Sequence, residues 1–142
     1  MSIRPYSATA LALGGTILMA LGLYFVFLRP PLLPEDLRSM RTSLPDLQAT
    51  MPGLFIWLRR VFGVMGGYMF ATGLLTLYVA VTGFRDRLCG VALVVALAGM
   101  SSIELMAVVN FIIESDFRWL ILTFILPWVL ALALYRSERS DS

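Results

Sequence analysis

A chain of 142 residues that is 59% hydrophobic, 14% charged and of mean hydropathy +0.85 lacks the polar surface of a water-soluble domain of this length. Its net charge of +2 comes without a single Lys or His, which removes imidazole metal sites, haem ligation, Ser-His and Cys-His chemistry, Schiff bases and P-loop lysines. One cysteine, Cys89, cannot close an internal disulfide or complete a thiolate metal site, so neither cofactor nor metal is expected.

The first apolar run, 8–28, is long enough to cross a hydrocarbon core of ~30 Å. Arg4 precedes it, but the run exceeds a typical signal-peptide core and has no small-x-small cleavage signal. It reads as a retained first transmembrane helix, stopped by Arg29-Pro30-Pro31.

Residues 29–60 form the long connection. Leu33, Leu37, Met40, Leu44 and Leu47 recur at helical spacing. Pro34-Glu35-Asp36 starts a helix well, because the ring wastes no N–H and the carboxylates face the positive dipole end. Pro45 interrupts the pattern. Two short amphipathic helices lying in the membrane interface are predicted, with Arg38 and Arg41 reaching toward headgroups.

Pro52-Gly53 restarts the helix, and Arg59-Arg60 mark entry into a second span over 61–84. Arg85-Asp86-Arg87 turns the chain into a third span, 88–113. After Glu114-Ser115-Asp116 a fourth covers 119–135. Trp57 and Trp119 are expected at the membrane face carrying the long connection, and Tyr6 and Tyr135 at the opposite face, as interfacial aromatics. The fold class is therefore all-α: a polytopic four-transmembrane-helix bundle with an interfacial amphipathic segment between helices 1 and 2, forming one domain over 1–142. Arg is spread almost evenly between the two faces. It is packed into shorter segments on the face of the termini, which favours cytoplasmic termini. The Arg-only, Ala/Leu/Gly-rich composition fits a bacterial inner-membrane protein.

In lipid, close backbone approach and internal hydrogen bonds must hold helices together. The second span offers two seams of small residues, Gly63-Gly67-Ala71 and Gly66-Gly73-Ala80; the first offers Gly15 and Gly22 beside Ala8 and Ala12. Two seams predict a central helix or one that also contacts a second protomer.

Glu104 is the expensive residue. Nine positions inside Ile113, it lies about 13 Å deep at ~1.5 Å per residue, where a carboxylate needs a partner. Tyr68, Met19, Pro127 and Trp128 fall at the same depth. Pro127 frees the Thr123 carbonyl, and Ser101 is one turn from Glu104. Glu104, Tyr68, Trp128, Ser101 and Thr123 thus make a candidate ligand or proton site, with interhelical glue or a subunit contact as the other reading. Asn110 is expected in an interhelical hydrogen bond. Arg29, Glu35, Asp36, Glu114, Asp116 and Arg118 gather at the long-connection face as an ion-pair cluster tying the loop to the bundle.

Functionally, the absence of catalytic residue types predicts a non-enzymatic accessory or assembly subunit, or a homo-oligomer. The expected partners are membrane lipids and either another membrane protein or the chain itself; no basic stripe for nucleic acid exists. The alternative is a proton-linked carrier or lipophilic-ligand binder using Glu104. Carboxylate-based lipid chemistry at the long-loop face is a third reading.

Overall fold

Apolar runs uninterrupted by Pro become helices, and Pro and Gly set their ends. The computed structural model describes residues 6–140; Arg4, the residue before the first apolar run, lies outside them. The chain is 81% helix, with no strand among the described residues. Four helices are long and apolar enough to cross a membrane: Tyr6–Phe27, Leu54–Phe84, Val91–Ile112 and Arg118–Glu138.

The first, α1 (Tyr6–Phe27), ends just before Arg29-Pro30-Pro31. The connection then forms α2 (Pro34–Met40) and α3 (Leu44–Thr50). Pro34 opens α2, and Asp36 accepts the Leu33 N–H at 2.9 Å, satisfying a donor that the helix start leaves free. Arg41 ends α2 in the left-handed region at φ 54°. Ser43 then caps α3, its hydroxyl accepting the Asp46 N–H at 3.3 Å. Pro45 thus sits in the first turn of α3, where its missing N–H costs nothing.

The second span, α4 (Leu54–Val79), is one continuous helix, so the segment expected before the span at 54–60 is part of it. It runs into a wide π turn at Ala80–Phe84. Residues 85–90 are spent on the turn, and Gly90, at φ 79°, admits the left-handed backbone that starts α5 (Val91–Gly99). A second π turn, Met100–Glu104, leads to α6 (Leu105–Ile112). The fourth span is broken into α7 (Arg118–Thr123) and α8 (Leu126–Ser140). Pro127 lacks the N–H that would bond Thr123, and the chain tightens there: Phe124 and Ile125 donate to the carbonyls of Ile121 and Leu122, three residues back.

The main helix pair is α1 with α4, packed antiparallel on a heptad of small residues. A Cβ on Gly22 would stand 2.5 Å from the Phe70 N, and one on Gly66 would stand 2.6 Å from the Gly22 carbonyl oxygen. The same reciprocal fit joins Gly15 to Gly73, at 2.8 and 2.6 Å from each other's carbonyl oxygen. Ala8 and Ala80, both buried, extend the series to the closed end. The other ridge of the second span does not pack. A Cβ added to Gly63 or Gly67 would meet nothing within 4 Å, and Ala71 is exposed. Within the chain one of the two seams packs: Gly63, Gly67 and Ala71 lie on a different side of the helix from Gly66 and Gly73.

α8 packs against α1 and α5. Trp128, 1% exposed, is held between glycines: a Cβ on Gly14 or Gly99 would come within 2.8 or 2.9 Å of its indole. At the end holding the start of α1, Ser7 donates to Glu138 from its backbone N at 3.2 Å and from its hydroxyl at 2.7 Å. Arg87 pairs with Glu138 at 2.9 Å and also donates to the Tyr135 carbonyl. Tyr135, at the end opposite the long connection, is buried, its ring tilted against that of Phe84 with centroids 4.5 Å apart. Trp57, Trp119 and Tyr6 are exposed.

Candidate functional site

The tight α1–α4 seam runs from Ala8 and Ala80 to Gly22 and Gly66, but the second and third spans part toward α2. No extensive contact joins α4 to α5 or α6, and between them lies a cavity of about 800 Å³. α1 contributes Leu18, Leu21 and Phe25, and α4 contributes Phe62, Met65, Tyr68, Met69 and Thr72. Ser102, Leu105, Met106, Val109 and Asn110 of the third span form the opposite wall, and Leu120, Ile121 and Phe124 of the fourth complete it. The body is apolar and rich in Met, a flexible side chain that adapts to varied shapes.

The charged groups gather at one end, under α2. Arg29, with a side chain 8% exposed, pairs with Asp36 at 3.2 Å. Its guanidinium lies 3.5 Å from the Phe62 ring centroid and 5.2 Å from that of Phe25, a stacking geometry suited to a planar cation. Asp36 thus serves twice, accepting from Arg29 and from the α2 start. Glu35 is 2% exposed, and the Ser115 hydroxyl donates to it at 3.2 Å. Ser115 Oγ in turn accepts the Phe117 N–H. The Ser115–Glu35 bond ties α2 to the turn between the third and fourth spans. Outside it, Arg38 pairs with Asp116 at 2.8 Å on the exposed surface. The hydrogen bond to Asp116, and then its charge, raise the Arg38 pKa.

The five residues singled out at midplane depth are not assembled into one site. Glu104 lines a separate shallow groove with Ala107, Val108, Phe111, Ile112, Leu122 and Ile125. Tyr68 is 73% exposed and borders the large cavity. Ser101 and Thr123 spend their hydroxyls on carbonyls of their own helices, those of Leu97 and Leu120. Trp128 is buried in the glycine sandwich with its Nε1–H unpartnered. Asn110 donates to the Met106 carbonyl of its own helix rather than across to a neighbour. Counting along the helices gives depth, whereas a shared site also requires the right rotation about each axis.

Of the charged residues expected at the long-connection face, Arg29, Glu35 and Asp36 reach the cavity, while Glu114 and Asp116 are exposed. Pro34-Glu35-Asp36 is legible as a helix start; that this helix covers a cavity is not. Among the described residues no group of Asp, Glu or Cys is placed to hold a metal ion. Comparison of the chain with protein-family models, with curated proteins and with solved structures gives no match.

Proposed function

We propose that this protein is an integral membrane protein of the bacterial inner membrane that binds a lipophilic molecule in the cavity between its second and third spans. The observation carrying this reading is the cavity itself: about 800 Å³, walled by all four spans, mostly apolar along its length and charged only under α2. That volume lies in the range of small-molecule sites. The membrane setting is supported by the outer surface, where Leu13, Val64, Leu75, Leu93, Leu97 and Val129 are among many exposed apolar side chains. Cytoplasmic termini remain the favoured orientation. The role is non-enzymatic, in keeping with a chain that has neither His nor Lys.

The test is native mass spectrometry of the chain extracted from its own membranes in mild detergent, for wild type and for Leu105→Trp, which fills the cavity. A bound species of lipid-like mass on wild type and its absence from the variant support the reading. A bare wild-type protein, or equal occupancy of both, counts against it.

A second reading, an accessory subunit or homo-oligomer, is favoured by the unused ridge of Gly63, Gly67 and Ala71. Small residues facing outward from a membrane helix suit close approach of another helix. The same spectra test it: a stoichiometric second protein or a second copy supports it, and a lone monomer opposes it.

A further inference from the structure

The charge and aromatic content of the polar end specify the ligand more closely. Taking the cavity as a binding site, as proposed above, we infer that its occupant is a lipophilic cation: an apolar body with a cationic head lodged under α2, beside Glu35.

The polar end already holds one cation of its own. Arg29 lies over Phe62 and Phe25, and its charge is matched by Asp36 at 3.2 Å. That internal pair leaves Glu35 as the surplus charge of the lining. Its one hydrogen-bond partner among the described residues is neutral, the Ser115 hydroxyl. The next cation outward, Arg38, bonds Asp116 instead. Within the lining itself Arg29 is outnumbered by Glu35 and Asp36. An anionic head entering there would meet carboxylates and find the lining guanidinium, that of Arg29, already paired and stacked.

The walls agree with the charge. Tyr24, Phe25, Phe62 and Phe117 surround the polar end, and aromatic faces attract cations most strongly where water is excluded. Met65, Met69 and Met106 supply polarizable, adaptable contacts along the body. A low-dielectric cavity strengthens the attraction between one buried carboxylate and one ligand cation. Charge complementarity and shape therefore point to the same class of occupant.

The experiment compares three probes binding to the full chain in dodecyl maltoside, each corrected for uptake by empty micelles. They are tetraphenylphosphonium, its isosteric anion tetraphenylborate, and the neutral lipophile N-phenyl-1-naphthylamine. Saturable phosphonium binding, at least about tenfold tighter than borate, is expected. Glu35→Gln keeps an acceptor for Ser115 and removes the charge; it should weaken phosphonium about tenfold and leave the neutral probe unchanged. Asn110→Asp adds a carboxylate to the cavity lining and should tighten phosphonium, which keeps the test decisive if Glu35→Gln fails to fold. Borate binding as well as phosphonium, or phosphonium binding indifferent to both substitutions, overturns the cation inference, and saturable binding of the neutral probe then leaves the cavity reading standing. Saturable binding of none of the three overturns both.

Discussion

The two ends of this bundle are built on opposite principles. At the end of Ser7, Phe84 and Tyr135, backbones approach on glycine and alanine, a tryptophan fills the gap between glycines, and Glu138 is satisfied by Ser7 and Arg87. At the end of α2, the wall residues are large, the second and third spans stand apart, and a short helix covers the opening. Between helices set in lipid, where hydrophobic drive is small, residue size decides how closely they approach. Small residues at heptad spacing draw α1 and α4 together, while Phe62, Met65 and Met69, on another side of α4, face an open space.

Substitutions in the packed seam and core should have the largest effects. Trp128→Ala should lead, with about 3–5 kcal/mol of lost stability, because it empties the space between Gly14 and Gly99. Trp128→Phe should cost far less, since it also removes the unpartnered indole N–H. Gly22→Ala should cost about 1–3 kcal/mol by forcing α1 off α4, while Gly67→Ala, with open space around it, should be neutral. Reversible unfolding in mixed micelles of rising sodium dodecyl sulfate checks both pairs of variants.

At the open end the effects are smaller. Ser115→Ala removes the hydroxyl bonded to buried Glu35 and should cost about 1 kcal/mol in the same unfolding assay. It should also speed proteolysis within residues 33–50 by loosening α2. Arg38→Ala removes an exposed pair and should leave the unfolding midpoint within error. The raised pKa of Arg38 means its share of stability is present at all pH values below the ordinary Arg range and is lost only on rising through the folded value.

Much of this architecture is legible in the sequence. Run length and hydropathy give the four long helices, Pro34 and Pro45 place α2 and α3, and Pro127 marks the break at Phe124–Ile125. The packing seam is half legible. The heptads Ala8-Gly15-Gly22 and Gly66-Gly73-Ala80 are visible, but Gly63-Gly67-Ala71 reads as equally suitable until its outward rotation is known. The candidate site is the least legible part. Depth counting places Glu104, Tyr68 and Trp128 in one layer, yet they occupy a shallow groove, a cavity rim and the packed core. Two π turns, at Ala80–Phe84 and Met100–Glu104, alter the helical rotation in ways that no residue count anticipates. The cavity itself is a gap between segments distant in the chain, and no local pattern encodes a gap.

The boundary between the closed and open halves falls within one turn of α4. Thr76 is buried, and Thr72, one turn nearer α2, lines the cavity. The most direct measurement is therefore the rate at which N-ethylmaleimide modifies single cysteines, Thr72→Cys and Thr76→Cys, each in a Cys89→Ser background in lipid bilayers. Thr72→Cys should react at least about tenfold faster, since opening a packed interface by about 1.4 kcal/mol slows access by that factor, and Leu105→Trp should suppress this reaction. Equal rates at the two positions, unchanged by Leu105→Trp, would contradict a bundle closed at one end and open at the other.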